Sequence, residues 1–328
     1  IFFTESEPSL YVYRVVAGQH SQTGIVACCS LDEYEAGKIK KHEKTRPDKV
    51  KDRTDHLLAV RAQTGLILLA FRGTQNIREL TGNAVTKEPI YDFCCEGGVQ
   101  HTFWKIDSSG EWVEAFDEVP SLYIADGHHR VESADLARRE LQSQNPNHTG
   151  EEEYNYVLAG IFPAEELRIL AYNRAVSDLN GISDEEFLQR LNESFTVTET
   201  DRTRPERSGD ICMYLSGKWY NLRFAVSYDH EPDAIERLDV STLQNYVLRP
   251  ILGIIDERTD ERILFVGGSL GPEKLQQAVD EGHVRIAFSL YPTSMEDLLE
   301  VSDRSEIMPP KSTWFDPKLK DGILIHLI

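Results

Sequence analysis

The sequence predicts a mixed α/β fold arranged in two lobes. Short apolar segments alternate with segments whose apolar residues recur every three or four positions, the pattern of helices that pack one face on a core. The chain has 328 residues, of which 40% are hydrophobic, enough to bury two cores. A polar segment at residues 144–153 is typical of a linker. We therefore predict one lobe over residues 1–145 and a second mixed α/β lobe over residues 154–328.

The composition narrows the classes of partner. The net charge of −20 repels nucleic-acid backbones and anionic lipids, so we expect neither a nucleic acid nor a membrane as a partner. No segment approaches the roughly 20 apolar residues that span a bilayer. The five cysteines are an odd number and include two adjacent pairs, which indicates reduced thiols and a cytoplasmic protein. A zinc site built from both pairs would match no standard spacing.

The first lobe is predicted to open with an extended segment at residues 10–30. Ser30 then caps a charged helical stretch that reaches about residue 63, with a break near Gly37 and a restart at Pro47. Buried strands are expected at residues 66–71, 99–106 and 122–125.

The segment LYIADGHHR, residues 122–130, is the main candidate site. An apolar strand ends at an Asp-Gly turn, where Asp126 is predicted to cap a helix and Gly127 to turn the backbone sharply. The helix is indicated by apolar residues at helical spacing, namely Val131, Ala134, Ala137 and Leu141. Its first turn is expected to hold His128, His129 and Arg130.

Such a turn favours a phosphate for two physical reasons. Unpaired backbone N–H groups and the positive end of the helix dipole point out of it, and the guanidinium of Arg130 matches phosphate oxygens. The alternative is a plain turn whose His and Arg side chains face solvent. A third interpretation is a metal site of Asp126, His128 and His129 with His42 or His101, although adjacent histidines on a helix rarely aim at one ion.

A second polar cluster precedes the first buried strand. Spacings of three and four residues place Arg46, Lys49 and Arg53 on one helix face, with His42 at its head. This face is expected to bind phosphates, with Glu43 or His42 taking a proton from a substrate hydroxyl. The alternative is a solvated face with ordinary ion pairs to nearby aspartates.

The second lobe is predicted to continue the alternation of strands and helices. Strands are expected at residues 156–162, 167–172, 213–215, 219–224, 263–266, 284–291 and 323–328, and helices from Ser183, Ser241, Pro272 and Ser294. Ser216-Gly217 is a hairpin signal between two of the strands.

Two loops of the second lobe carry polar groups or glycines. In MPPKSTWF, residues 308–315, two prolines exclude a helix, and Lys311, Ser312 and Thr313 offer a charge and two hydroxyls to a phosphate. The alternative is that the aromatic residues only anchor a long connection. The glycines of residues 267–271 follow a strand, and a plain turn is favoured there over a phosphate cradle.

Six phrases resemble a known family. They are YIADGHHR, GKIKKHEKTR, GKWY, LDVSTLQN, FVGG and MPPKSTWFDPKL, and they are similar to the bacterial and archaeal family called domain of unknown function ten-fifteen. The likeness runs from about residue 22 to the C-terminus. Members carry a further N-terminal segment, which we expect to be missing here.

The DGHHR box is in turn similar to a box in the ParB and sulfiredoxin superfamily, where the turn holds nucleotide phosphates. The resemblance implies a ParB/sulfiredoxin-like nucleotide-binding lobe over residues 1–145. In free-serine kinases the box has Thr where His129 stands here, and the other conserved positions match Asp126, Gly127, His128 and Arg130. Their catalytic Glu lies upstream of the box, and Glu43 is the candidate for that role.

These observations lead to a primary hypothesis of a nucleotide-dependent phosphotransferase. Its acceptor is a hydroxylated metabolite, an amino acid being one candidate, and its cofactor is ATP, ADP or CTP with Mg²⁺. Asp126 would hold magnesium or orient His128 and His129, and His128 or Glu43 would accept the hydroxyl proton. The cations Arg46, Lys49, Arg53 and Lys311 would neutralise the transferring group. The alternatives are a non-catalytic nucleotide sensor and a metal-dependent hydrolase.

Overall fold

A computed structural model describes residues 3–95 and 97–328, and they form two compact units. Unit 1 consists of residues 1–168 and 317–328, and unit 2 of residues 169–316. Both combine strands with helices, so the mixed α/β class is confirmed. The unit boundaries differ from the predicted ones because the predicted linker at residues 144–153 lies inside unit 1, where residues 145–152 form a loop. This loop is held together by the carboxylate of Glu152, which accepts hydrogen bonds from the N–H groups of Thr149 and Gly150.

Unit 1 is built on a mixed sheet. Its strands are β1 Tyr11–Ala17, β2 His20–Ser30, β3 Ile39–Lys40, β4 Ala62–Gln63, β5 Ile67–Phe71, β6 Tyr91–Cys94, β7 Val99–Lys105, β8 Leu122–Asp126 and β9 Tyr156–Pro163. Its helices are α1 Leu31–Glu35, α2 Pro47–Val60, α3 Gln75–Ala84, α4 Gly110–Asp117 and α5 His128–Gln144. Within the described residues the main sheet has the order β3-β8-β5-β9-β2-β1-β7-β6. The pairs β3/β8 and β5/β9 are parallel, and the others are antiparallel.

The core of unit 1 lies between this sheet and its helices. Alternate residues of each strand point to the same face, and one set packs with helical residues such as Leu57, Ile77, Trp112 and Val131. The cysteines of β2 and of β6 are separated by the two strands β1 and β7. Neighbouring strands lie about 4.8 Å apart, so β2 and β6 are roughly 14 Å apart. This distance is too long for both cysteine pairs to bind one zinc ion, and the shared zinc site is wrong.

Unit 2 has its own antiparallel sheet. The elements are β10 Ile169–Leu170, β11 Tyr172–Val176, α6 Asp184–Leu191, β12 Phe195–Thr200, β13 Asp210–Leu215, β14 Lys218–Phe224, α7 Asp239–Leu243, β15 Ile263–Gly267, α8 Gly271–Asp280, β16 Ile286–Ser289, α9 Met295–Asp303 and β17 Trp314–Phe315. The sheet order is β12-β14-β13-β16-β11-β15, and β10 pairs with β17. Ser216 and Gly217 have φ of 49° and 83°, so the predicted hairpin is confirmed. The helix predicted from Ser241 begins two residues earlier and ends in a π-helical turn, Gln244–Leu248.

Two predicted memberships of the second lobe are wrong. The strand predicted at residues 156–162 is β9, which pairs with β2 and β5 in the sheet of unit 1. The predicted final strand shortens to β18, His326–Leu327, which pairs with β4. The chain therefore leaves unit 1, forms unit 2 and returns to unit 1 at Pro317.

None of the helices in the described ranges has the length and apolar character that a membrane crossing requires.

Candidate functional site

The DGHHR box forms the predicted strand–turn–helix junction at the end of β8. Gly127 has a φ of +102°, a conformation that favours glycine, and α5 begins at the next residue. The predicted capping role of Asp126 is wrong. Because the backbone reverses at Gly127, that glycine is the N-cap, and Asp126 is the last residue of the strand. The carboxylate of Asp126 accepts a hydrogen bond of 2.8 Å from Lys318 Nζ.

The N-termini of α2 and α5 lie side by side. His129 Nε2 accepts a hydrogen bond of 3.0 Å from the backbone N–H of Arg46, the N-cap of α2. One turn further on, Ser133 Oγ donates to the carbonyl of Val50 at 3.0 Å. From the first contact to the second, the chain advances four residues along α2 and four residues along α5 in the same direction. The two helices therefore run parallel. Neither N-cap residue closes its helix with a side-chain hydrogen bond. Two positive helix ends therefore meet beside residues 41–46.

His42 and Glu43 belong to the loop at residues 41–46, and the predicted helix through them is wrong. Pro47 is the reason, since it disfavours helical geometry at the preceding residue, and Arg46 is extended with φ −94° and ψ 125°. The predicted restart at Pro47 is confirmed. The backbone N–H of His42 lies 3.5 Å from His128 Nε2. Glu43, the next residue, is half-buried beside the joined helix ends.

The ring of His42 is buried against that of His128. The two ring centroids are 4.5 Å apart and nearly perpendicular, and His42 is 1% exposed. Neither of its ring nitrogens has a hydrogen-bond partner among the described residues. Burial lowers the pKa of His42 to about 4, so the ring is neutral near pH 7. A buried neutral ring of this kind packs the loop against α5.

The two histidines of the box act as acceptors in this structure. His129 Nε2 accepts the Arg46 N–H, and His128 Nε2 faces the His42 N–H. Since a neutral imidazole has one acceptor nitrogen, neither ring offers that lone pair to a substrate proton here. These contacts make His128 and His129 the residues that hold the 41–46 loop.

Helix α2 presents three cations to solvent, of which Lys51 is paired with Asp55. Its buried residues are Val50, Thr54 and Leu57, whereas Lys49 and Arg53 are exposed. Neither cation has a salt bridge within the part of the chain that the structure describes. Arg46 differs, because its guanidinium pairs with Asp48 at 2.9 Å. The ordinary ion-pair alternative therefore fits Arg46, and the free basic face reduces to Lys49 and Arg53.

Arg130 is a clamp in this structure. Its guanidinium donates to the carbonyl of Leu66 at 2.7 Å and forms a two-pronged pair with Asp321, at 3.1 and 2.8 Å. The predicted phosphate contact of Arg130 would need guanidinium N–H groups that already donate to the Leu66 carbonyl and the Asp321 carboxylate. No local pattern around Arg130 indicates this pair, because Asp321 lies 191 positions further along the chain.

The returning segment at residues 317–328 contacts the DGHHR box and β1 in addition to β4. Lys318 binds Asp126 and Asp321 binds Arg130, so both charged ends of the box are paired. The backbone N–H of Lys320 donates to the buried hydroxyl of Tyr13 at 3.0 Å. The residues that hold the box were thus predicted to belong to the other lobe.

Two further cations lie beside β8, and neither was among the predicted site residues. Lys40 Nζ is 5.6 Å and Arg72 Cζ 5.5 Å from the ring centre of Tyr123. Arg72 also donates to the hydroxyl of Tyr123 at 2.7 Å. The position of Arg72 directly after the buried strand β5 is the sequence pattern that could have indicated it.

Lys311, Ser312 and Thr313 belong to unit 2, where a buried arginine holds their loop. Arg174 is fully buried and donates to the carbonyls of Pro310 and Lys311 at 2.8 and 2.9 Å. Its Nε lies 3.1 Å from a carboxylate oxygen of buried Glu257.

The side chains of that loop serve different purposes. The hydroxyl of Ser312 is buried and donates to the carbonyl of Pro309 at 2.7 Å, so the loop itself provides a partner for that hydroxyl. Lys311 is exposed, with Nζ 5.8 Å from the ring centre of Tyr172, and Thr313 is half-buried. The loop thus keeps the Ser312 hydroxyl inside, whereas Lys311 keeps its charge at the surface.

The remaining predicted alternatives have structural explanations. A Cβ on Gly267 would lie 2.8 Å from the ring of Trp314, and one on Gly268 would lie 2.5 Å from the carbonyl of Ala171. These glycines permit close packing, as the plain-turn interpretation predicts. No three His, Cys, Asp or Glu side chains are grouped as metal ligands within the described residues. The metal-site interpretation of Asp126 with His128 and His129 therefore has no geometric support.

Gly127→Ala is expected to destabilise unit 1 by about 2–3 kcal/mol. The methyl group would combine the unfavourable φ with contacts of 3.1–3.3 Å to Ile67. Gly37→Ala is the matched control, since Gly37 has a φ of +75° with nothing within 4 Å of a built Cβ, and should cost about 1–2 kcal/mol. Urea unfolding of both variants measures the difference. Equal losses would contradict a special constraint at Gly127.

The chain is similar in fold to several solved structures. A free serine kinase mutant in complex with AMP has a TM-score of 0.45 and 15% identity, covering 88% of this chain and 87% of its own. SbnI with a C-terminal truncation, from Staphylococcus aureus, has a TM-score of 0.47 and 14% identity, covering 92% and 87%. A conserved hypothetical protein from Pyrococcus furiosus has a TM-score of 0.43 and 15% identity, covering 90% and 93%.

No curated protein matches the sequence significantly. The family model described as protein of unknown function DUF1015 matches residues 1–241, which is well over half of the chain and includes both the 41–46 loop and the DGHHR box. The chain belongs to the DUF1015 family.

Proposed function

We propose that unit 1 binds the phosphates of a nucleotide where the N-termini of α2 and α5 meet. The observation that carries this proposal is the parallel pair of helix ends joined by the His129–Arg46 hydrogen bond. Like ends of two parallel helix dipoles repel each other, and an anion placed between them relieves that repulsion. Both helices exceed three turns, with 14 and 17 residues.

We further propose that the protein is a nucleotide-dependent phosphotransferase with a hydroxylated small molecule as acceptor. Glu43 is the base, because it is the carboxylate of the loop that joins the helix ends. It takes the acceptor's hydroxyl proton as that oxygen bonds to the terminal phosphorus, and the bond to the nucleotide's bridging oxygen breaks. Lys49 and Arg53 offset the charge of the transferring group.

The other residues of the box position this machinery. His128 and His129 hold the loop that carries Glu43, and Arg130 fixes α5 to residues 66 and 321. Asp126 is a half-exposed carboxylate and suits Mg²⁺, which prefers oxygen ligands and usually takes few of them from protein. Asp126 would hold the magnesium ion, whose charge would partly neutralise the phosphates of the nucleotide.

A non-catalytic nucleotide sensor is the second candidate. It is favoured by the histidines of the box, whose acceptor nitrogens face backbone N–H groups and therefore take no proton from a substrate. Catalysis would then depend on Glu43 as the base. A sensor shares the phosphate site but forms no phosphorylated product, so detection of product separates the two functions.

The double variant Lys49→Gln/Arg53→Gln is expected to weaken nucleotide binding by about 5–10-fold at low salt, since each exposed charge contributes a fraction of a kcal/mol. Lys51→Gln is the matched control, because Lys51 is exposed on the same helix and already pairs with Asp55. Thermal shifts of the full chain against ATP, ADP, CTP and GTP with magnesium report binding through mass action.

A shift for one nucleotide that is reduced in the double variant and kept in Lys51→Gln supports the phosphate site. No shift with any of the four nucleotides, or equal shifts in all three proteins, would overturn it.

A further inference from the structure

A cavity of about 200 Å³ lies in unit 1, at the end of β5 away from the DGHHR box. Its walls come from the segment joining β5 to α3, from α3 itself, from β1 and β2, and from the turn after β9. Gly127 packs against Ile67 at the start of β5, and Phe71 lines the cavity at the other end. Four strand residues separate these contacts by about 13 Å, so the cavity is a separate site.

One wall of the cavity carries a cation whose guanidinium makes no hydrogen bond or salt bridge among the described residues. Arg14 lines it from β1, with its guanidinium 4.9 Å from the ring centre of Trp104. The guanidinium of Arg14 makes no hydrogen bond or salt bridge within residues 3–95 and 97–328. A half-buried guanidinium with unused donors is a strong recognition group for a carboxylate.

The opposite charge stands on another wall. Glu166 is half-buried, and one carboxylate oxygen accepts the backbone N–H of Thr23 at 2.7 Å. Its second oxygen has no hydrogen-bond partner among the described residues. Glu166 and Arg14 are not in salt-bridge contact with each other. A second pair, Arg78 and Glu165, lines the cavity but is already joined at 3.0 Å.

Phe71 and Ile77 supply apolar lining between the charged groups. A cavity of about 150 Å³ holds a molecule the size of benzene, and drug-sized ligands need roughly 300 Å³ or more. The volume therefore fits a ligand smaller than a nucleotide.

From these observations we infer that this cavity binds a small zwitterion, whose carboxylate pairs with Arg14 and whose ammonium pairs with Glu166. A ligand with only one charge would leave the other protein charge unpaired in a partly buried site, which costs free energy. A ligand with both charges satisfies both groups at once.

The test uses the full chain without nucleotide and the probes glycine, β-alanine and 4-aminobutyrate, in which the two charges are progressively further apart. Acetate and methylammonium are the single-charge controls. Isothermal titration is expected to show binding of at least one zwitterion, at least tenfold tighter than either single-charge control. The preferred chain length then measures the distance between the two protein charges.

Two charge-removing variants read each end of the ligand separately. Glu166→Gln keeps an acceptor for the Thr23 N–H, and it should bring acetate binding to within about threefold of the zwitterion. Arg14→Gln should do the same for methylammonium. Arg249→Gln, at an exposed residue of unit 2, is the control and should leave every affinity unchanged.

Absence of zwitterion binding at a ligand concentration of 10 mM would overturn the inference, since this is about ten times a Kd of 1 mM, at the weak end of specific binding. So would acetate binding as tightly as the zwitterions to the unchanged protein, or zwitterion affinities that neither variant alters. Since Lys49→Gln/Arg53→Gln should bind the zwitterion normally, failure here is distinct from failure of the phosphate site.

Discussion

Glu43→Gln is expected to lower kcat by about 10²–10⁴-fold, the usual contribution of a general base, while the nucleotide Kd changes by less than twofold. Gln has nearly the same shape as Glu but accepts no proton. The backbone N–H of the preceding residue, His42, stays beside His128, so the loop should keep its position. Nucleotide binding by titration and product formation by phosphorus NMR measure the two quantities separately.

Glu33→Gln is the matched control for that variant. Glu33 is an exposed carboxylate of unit 1 that pairs with Lys38 at 2.9 Å, and its loss should leave kcat unchanged. Unaltered turnover in Glu43→Gln would remove Glu43 from the mechanism. Tight nucleotide binding with no product in the unchanged protein, across the acceptors tested, would favour the sensor.

Arg174→Met is expected to destabilise unit 2 by about 3–5 kcal/mol, the typical cost of removing one partner of a buried ion pair. Glu257 would stay buried without its counter-ion. Burial raises the pKa of the Glu257 carboxyl and Arg174 opposes that shift, so Glu257 in the variant would bind a proton more readily. The carbonyls of Pro310 and Lys311 would also lose their donors.

Hydrogen exchange locates this effect, since it reports each unit separately. Protection should fall in β11, β15 and β16 and persist in β5, β8 and β9. Arg285→Met is the matched control, because Arg285 pairs with Asp184 at the surface of the same unit and should cost at most about 1 kcal/mol. The double variant Arg174→Met/Glu257→Met removes both charges and should recover much of the loss. Equal costs for Arg174→Met and Arg285→Met would show that burial gives the Arg174 pair no special weight.

Local signals predicted most of the elements correctly. The Ser216-Gly217 hairpin, the start of α2 at Pro47 and the caps of α6 and α9 by Ser183 and Ser294 all depend on a few neighbouring residues. Such residues set φ or supply a side-chain acceptor to a nearby N–H, so their effect is visible in sequence. The strand–turn–helix geometry of the DGHHR box was predictable for the same reason.

The chemical state of the box was not predictable, because its partners are distant in sequence. Asp126 and Arg130 are paired by Lys318 and Asp321, and His129 by the backbone of Arg46. Local pattern gives no information on which surface a segment some 190 positions away will contact. The buried pair of Arg174 and Glu257 was missed likewise, since each reads as an ordinary charged residue when its burial is unknown.

The returning segment makes the order of synthesis matter. All of unit 2 lies between Arg130 and the residues at 317–321 that clamp it. At about 5–20 residues per second, the ribosome delivers that clamp on the order of 10 s after the first part of unit 1 has emerged. During this interval Asp126 lacks Lys318, Arg130 lacks Asp321, and the hydroxyl of Tyr13 lacks the N–H of Lys320. A nascent chain stalled before Pro317 would thus expose a box without these contacts, and synthesis of residues 317–321 becomes the step that fixes it.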